Sequence, residues 1–305
     1  MEQTNLILCS WNANGIRNKI SDIIEFLNRF KIDILLINET KISDKETLKI
    51  RKYNCERFSR PNAAGGILIL IKNNIPYKLV KLNNKTDIEN VCIKLASSIH
   101  IIAAYNRPIV NITNKDIDAL LNVASKVLLI GDLNCRHNAW KCHINNRNGQ
   151  TLYNYCQHNN CSILYPDEPT HYPENGSTPT TIDLAINKNV TSIIGPQVLH
   201  ELVSDHKSIL LKIGNTYKNK DNSKATYNYK QADWKKFRQI LDEKININNK
   251  IITIESIEQE VTNITNSIQT ATDEAILKIN RKRKEEQLPP QIIDAIKERN
   301  RIRRL

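Results

Sequence analysis

Two polar side chains, Asp132 and Asn134, stand at the end of the apolar run Val127-Leu128-Leu129-Ile130-Gly131. In an extended chain that spacing puts both on one face. A carboxylate and an amide displayed together at the mouth of a sheet can activate a water and hold a phosphate oxygen. They can also simply close the strand as an Asx turn. Polar groups end other apolar runs in the same way. Asn12 and Asn14 follow residues 6–11, Glu39 follows 32–37, Tyr105 follows 99–104, and Asp205-His206 precede 207–213. Asp183 lies inside the apolar run 181–186. A buried Asp is costly without a partner. His206 is the natural one, because a carboxylate fixes an imidazole's tautomer and favours its charged form. Each residue alone has a bland structural explanation, whereas the set would converge if these strand ends share one rim.

The elements that must position them follow from pattern. Four apolar residues before Gly131 spell a buried strand. Strands are expected at 6–11, 32–37, 67–71, 91–95, 99–104, 127–132, 162–164, 181–186 and 207–213. Helical spacing of Ile20, Ile23, Ile24, Leu27 and Phe30 predicts a helix over 18–29, and two more are expected near 116–124 and 150–158. Many strands and few helices, mixed rather than alternating, favour an α/β fold of two packed sheets over a doubly wound parallel sheet. Around Gly214 the composition shifts to Asn, Lys and Ser, as in a linker. Three parts are therefore expected: a domain over 1–213, a linker over 214–231, and a helical basic segment without strands over 232–305. Leu288-Pro289-Pro290 breaks that segment before its last helix.

The chain has 305 residues, 40% of them apolar, and a formal net charge of +12. No run approaches the roughly 18 apolar residues of a membrane span, so no membrane partner is expected. Seven cysteines without a CxxC pair read as reduced thiols, and the N-terminus shows no secretory leader, so an intracellular location is expected. Cys135, His137, Cys142 and His143 lie close in sequence but fit no zinc spacing template. Residues 214–305 hold 19 Lys+Arg against 13 Asp+Glu, and 1–213 hold 25 against 19. The excess is equal, but the second part is less than half as long. Its basic residues bunch at 281–284 and 299–304, either as nucleic-acid contacts or a nuclear address, or as solvated helix ends.

The ordered series Ser-Trp-Asn-x-Asn-Gly, Asn-Glu-Thr-Lys, Ala-Tyr, Gly-Asp-x-Asn, Thr-Ile-Asp and Ser-Asp-His resembles the endonuclease/exonuclease/phosphatase superfamily over about residues 4–213. Within it, His137-Asn138-Ala139-Trp140 and the loop Asn146-Arg147-Asn148-Gly149 are similar to the N-terminal endonuclease domain of jockey-like non-LTR retrotransposons. The resemblance implies a four-layer, DNase I-like α/β sandwich that hydrolyses phosphodiesters with Mg²⁺, for which Mn²⁺ can substitute. It implies Glu39 as the principal metal ligand, with Asn14 and Asp205 beside it. Asp132 then orients or deprotonates the attacking water, with Asn134 next to the phosphate. Asp183 orients His206, whose imidazolium stabilises negative charge, and Tyr105 completes the catalytic group. Asn12, Arg107, Trp140 and Arg147 are implied as phosphate or DNA contacts.

Two departures qualify the likeness. Asn14 stands where many repair enzymes have Asp, and it can neither lose a proton nor bring negative charge to a metal. The segment 176–181 lacks the aromatic wall that enzymes specific for abasic sites carry. The expected substrate is therefore ordinary double-stranded DNA, nicked in one strand to leave a 3′-hydroxyl and a 5′-phosphate, with action in the nucleus. Residues after 213 resemble the linker preceding a reverse transcriptase. The implied chain is thus a retroelement product truncated before the polymerase, for which element RNA is a further partner. Rival readings are an abasic-site nuclease or phosphatase of the superfamily, and an inactive remnant binding nucleic acid through its basic helices. The sequence is silent on oligomeric state.

Overall fold

A computed structural model of the chain describes residues 2–60, 64–82, 86–218, 226–245, 253–279 and 289–302. It divides into two compact units, residues 1–220 with 287–305, and residues 221–286.

The first unit is built on two six-stranded sheets. One runs in the order β11 (Ile193–Leu199), β12 (Ser208–Lys218), β1 (Glu2–Asn12), β2 (Ile34–Asn38), β4 (Ile67–Lys72), β3 (Tyr53–Phe58). The other runs β5 (Tyr77–Val80), β6 (Glu89–Leu95), β7 (His100–Tyr105), β8 (Val127–Asp132), β10 (Asp183–Lys188), β9 (Ser162–Leu164). Each sheet has one parallel pair near its centre, β1 with β2 and β7 with β8.

Side-chain alternation separates three apolar layers. Leu6, Leu8, Ile34, Leu36, Ile101, Ala103, Leu128, Ile130 and Ala185 point between the sheets. The opposite faces pack beneath α1 (Ile20–Arg29), through Trp11, Phe26 and Leu35, and beneath α2 (Asn114–Leu121) and α3 (Arg147–His158), through Leu120, Leu129 and Leu152. The result is the expected four-layer α/β sandwich. Carried to the strand ends, the same parity turns Asn12, Asn38, Tyr105, Asp132 and Asp183 into the space between the sheets.

Several boundaries differ from expectation. The helix expected from 18 begins at Ile20, after a 3-10 turn over Arg17–Lys19. Strand β12 continues past 213 to Lys218, because β1 extends to Glu2 and pairs with it throughout. Asp183 opens β10 rather than lying inside it. Strands β3, β5 and β11 were not expected; their burial is mixed and they lie at or next to sheet edges, so no continuous apolar run announces them.

The second unit contains α4 (Trp234–Lys244) packed with α5 (Ile254–Ala275). The expectation of no strands here is corrected: β13 (Thr226–Tyr227) pairs with β14 (Lys278–Ile279). Helix α6 (Pro290–Ile302) belongs to the first unit, where Arg299 reaches Asp22 at 3.0 Å, so the span 232–305 is not one segment. The basic cluster at 281–284 lies outside the described residues. Among the described residues no helix is long and apolar enough to cross a membrane.

Candidate active site

The rim is built where inward parity meets the strand ends. Asn38, the last residue of β2, lies fully buried between the sheets. Its amide donates to the Ala104 carbonyl (3.1 Å) and accepts from the Asp132 backbone N–H (3.2 Å), so one side chain ties both sheets at the site. Gly131 makes that approach possible. Its φ is +152°, and a Cβ there would lie 1.9 Å from the Ala104 carbonyl oxygen and 2.8 Å from Asn38 Oδ1.

Asn12 makes the second tie. Its Nδ2 donates to Asp132 Oδ2 (2.9 Å) and to Glu39 Oε1 (3.0 Å), drawing one carboxylate from each sheet towards the other. Asn12 is buried and both amide hydrogens are used, so its expected role as an outward phosphate contact is corrected to one of positioning. Glu39 adopts φ +48°. Burial, then Glu39 and Asp132, push the Tyr105 hydroxyl well above its ordinary value, so it is a donor at any ordinary pH.

Asp132 is 1% exposed. Burial raises its carboxyl to about 7 against the opposing charge of His206, and Asp183 raises it further. His206 donates from Nδ1 to Asp183 Oδ2 at 2.8 Å, and its Nε2 stands 3.8 Å from Asp132 Oδ2. Burial pulls the imidazole down, but Asp183, Asp132 and Asp205 outweigh it and hold it up at about 10. Asp183 is fully buried, and its backbone N–H donates to Thr170 Oγ1. The expected Asp183–His206 pair is therefore present.

Asn134 takes the left-handed conformation, φ +49°, so the chain turns rather than running on extended. Its backbone N–H binds Asp132 Oδ1 (3.0 Å), and its Nδ2 donates to the Asn106 carbonyl (2.9 Å). The Asx turn and the polar site are thus the same residues. The turn directs the Asn134 amide onto the 106 loop, beside Asp132 rather than parallel to it.

Asn14 donates to Asp205 Oδ1 at 3.3 Å and accepts from Lys41 Nζ. The same ammonium lies 3.5 Å from Glu39 Oε2, so a cation bridges Glu39 and Asn14. Asp205 is held well below the usual carboxylate range, chiefly by His171, against burial and with help from His206, Ser204 and Asn14.

Trp140 is corrected outright. It is 0% exposed, donates its indole N–H to the Cys135 carbonyl (3.1 Å) and packs on His137, so it belongs to the core beneath the 135–146 loop rather than to the surface. Arg107 and Arg147 are exposed, on the loop after β7 and at the start of α3. The Cys135, His137, Cys142 and His143 set does not assemble, since both cysteines are buried and His143 is exposed. Three neighbours escaped the sequence reading. Asn38 shares the inward parity of Ile34 and Leu36, a signal that could have found it. His171, 3.6 Å from Asp205, arrives on an irregular loop that periodicity does not register. Arg60, whose own charge senses Arg107, Tyr105 and Glu39, follows a strand too mixed to be seen.

Two packed mixed sheets with this polar rim define an α/β sandwich of the DNase I-like endonuclease kind. The fold is similar to the "Endonuclease domain of TRAS1, a telomere-specific non-LTR retrotransposon" (TM-score 0.59, 15% identity, 70% of this chain and 100% of that one). Residues 99–210 match the family described as Endonuclease-reverse transcriptase. The chain is 28% identical over 273 residues to the "Probable RNA-directed DNA polymerase from transposon BS" of Drosophila melanogaster, covering 86% of this chain and 30% of that protein. It is 22% identical over 315 residues to the "RNA-directed DNA polymerase from mobile element jockey" of Drosophila funebris, covering 100% and 34%. The chain thus spans about a third of the length of these relatives. The fold likeness is to a non-LTR retrotransposon endonuclease domain and the sequence likenesses are to proteins of mobile elements, in line with the resemblance its motifs carry.

Proposed function

We propose that the sandwich is a Mg²⁺-dependent endonuclease that nicks one strand of duplex DNA, leaving a 3′-hydroxyl and a 5′-phosphate, as the cutting step of target-primed retrotransposition. The observation that carries this reading is the continuous polar chain Glu39–Asn12–Asp132–His206–Asp183, which crosses from one sheet to the other. A site for cutting a phosphodiester needs a base, a cationic stabiliser and a hard-cation pocket in register, and this chain places candidates for all three within one rim.

The donor set fits magnesium. Glu39, Asn14 and Asp205 offer hard oxygens, and one or two carboxylates leave room for substrate phosphate. The Lys41 ammonium between Glu39 and Asn14 is a stand-in cation and marks where positive charge is favoured. When bound, the ion supplies Lewis-acid stabilisation to the phosphate oxygens. Asp132, raised to about 7 by burial, is poised to accept the proton of the attacking water. His206, kept cationic by its carboxylates, donates from Nε2 to a phosphate oxygen as negative charge develops. The Tyr105 hydroxyl, kept protonated by burial and by Glu39 and Asp132, remains available as a donor. Arg107 and Arg147, both exposed, would meet backbone phosphates. Element RNA as a second partner, and nuclear action, belong to this reading as well.

The end chemistry has a direct test. Plasmid nicked by the protein should be resealed by DNA ligase without further treatment, because ligase requires a 3′-hydroxyl and a 5′-phosphate. Nicks that ligase cannot close would refute the proposed products.

A further inference from the structure

His171, Asp205 and His206 offer ligand atoms that all lie within 4.8 Å of one another, the only such group of three among the described residues. Two of these atoms are imidazole nitrogens, which magnesium does not favour but zinc does. We infer that these three side chains form a binding site for a zinc-class transition-metal ion, and that its occupancy switches the neighbouring nuclease site off.

The geometry resembles the three-ligand zinc sites that keep a fourth position open. Tetrahedral bonds of about 2.0–2.1 Å separate neighbouring ligand atoms by about 3.3 Å. His171 Nε2 and Asp205 Oδ2 stand 3.6 Å apart, and the two imidazole rings lie 4.5 Å apart, tilted by 38°. Small side-chain rotations would close the remainder.

Each ligand is also held from behind, as metal ligands commonly are. His206 Nδ1 binds Asp183 at 2.8 Å, which leaves Nε2 as the atom it can offer. His171 Nδ1 faces Thr180 Oγ1 at 3.5 Å, leaving its Nε2 on the Asp205 side. Asp205 uses Oδ1 for Ser204 and Asn14, while Oδ2 faces His171 Nε2 at 3.6 Å, so an ion seated between them would replace that pairing. The backbone fixes the arrangement too, since residues 171 and 206 form an isolated β-bridge.

Occupancy would silence the rim for a simple reason. A coordinated His206 has given its Nε2 proton to solvent and its lone pair to the ion, so it can no longer donate to a phosphate oxygen. Asp205 is withdrawn from the magnesium set at the same time. The inhibitory half of the inference rests on the nicking reaction proposed above, whereas the binding half does not.

The test therefore has two arms on the full chain. Equilibrium dialysis against zinc alone should show one ion retained per chain. Cobalt(II) alone should give the intense visible bands of a tetrahedral site. His171→Ala and His171→Gln, checked for folding by circular dichroism, should each weaken zinc binding at least about tenfold and abolish the cobalt bands. In the second arm, zinc should arrest magnesium-supported nicking, a chelator should restore it, and the arresting concentration should rise by the same factor in both variants. Zinc binding unaltered by either folded variant would overturn the site. Binding lost in the variants while zinc arrests them equally would overturn the switch. If no form nicks plasmid, the reaction proposed above fails while dialysis and cobalt absorption still decide the site.

Discussion

Two of the chain's three tryptophans, Trp140 and Trp234, have opposite fates that summarise the difference between its two units. Trp140 is fully buried in the sandwich, with its indole N–H satisfied. Trp234 is 49% exposed at the start of α4, stacked with Tyr229 at 6.5 Å and edge-on to Phe237 at 5.6 Å, with Lys235, Lys236 and Arg238 nearby in sequence. At the rim of the sandwich, Asn12, Asn38 and His206 are buried and hydrogen-bonded to neighbouring groups. In the helical unit, aromatic and apolar side chains face outward, including Ile257, Val261 and Ile268. A scaffold that must hold atoms in register spends its hydrogen bonds internally, whereas a surface that leaves aromatics and cations exposed is suited to gripping something else.

The sharpest way to break this contrast is at the rim. Asp132→Asn keeps the shape and removes the base, and should lower nicking by about 10²–10⁴-fold while leaving the folded spectrum intact. A loss under tenfold in a nicking assay would mean that Asp132 is structural only. Trp140→Ala should cost about 3–5 kcal/mol of stability in denaturant unfolding, the penalty of a large buried aromatic. Gly131→Ala should cost about 3 kcal/mol, because its Cβ has no room against Ala104 and Asn38. It should also lower nicking by pushing Asp132 off the rim.

The pH profile sharpens the electrostatic half. A reaction needing Asp132 deprotonated and His206 protonated should rise through about 7 and fall through about 10. Bound magnesium would move the acidic limb lower. Because the His206 value is raised on folding, its stabilising contribution is complete below about 6.5, fades above it and is gone above about 10. The unfolding midpoint should therefore decline over that window, and His206→Asn should remove that part of the slope. The smallest effect lies in the other unit. Trp234→Ala should change stability by less than about 1 kcal/mol, yet weaken retention of single-stranded nucleic acid by about 1–3 kcal/mol if the aromatic face binds bases. No change in a filter-binding titration would leave that face without this role.

Much of the site was legible because strand parity is a strict rule. Asn12, Tyr105, Asp132 and Asp183 each continue an alternation already fixed by apolar neighbours, so their convergence follows once the strands are placed. Asn14, Glu39 and Asn134 lie just past that limit, in left-handed turns where alternation ends. Their presence at the rim was foreseeable, but their directions were not. Trp140 misled because a residue in a loop motif looks exposed, and only the compact 3-10 turn over Asn138–Trp140 folds it inward. His171 was invisible for the opposite reason: it reaches the rim across an irregular loop, through a bridge no local pattern encodes. The tail's ribbon rests on two residues per strand, below what periodicity can resolve.

One measurement bears most directly on the central claim that side chains from both sheets form one metal-dependent cutting site. Supercoiled plasmid should be incubated with Mg²⁺ and the purified chain, beside Glu39→Gln from one sheet's rim and Asp132→Ala from the other. Open-circle product from the unaltered chain, lost in both variants and on adding a chelator, is the expected result. Nicking that survives either variant, or no nicking by a well-folded chain in Mg²⁺ or Mn²⁺, would contradict the account.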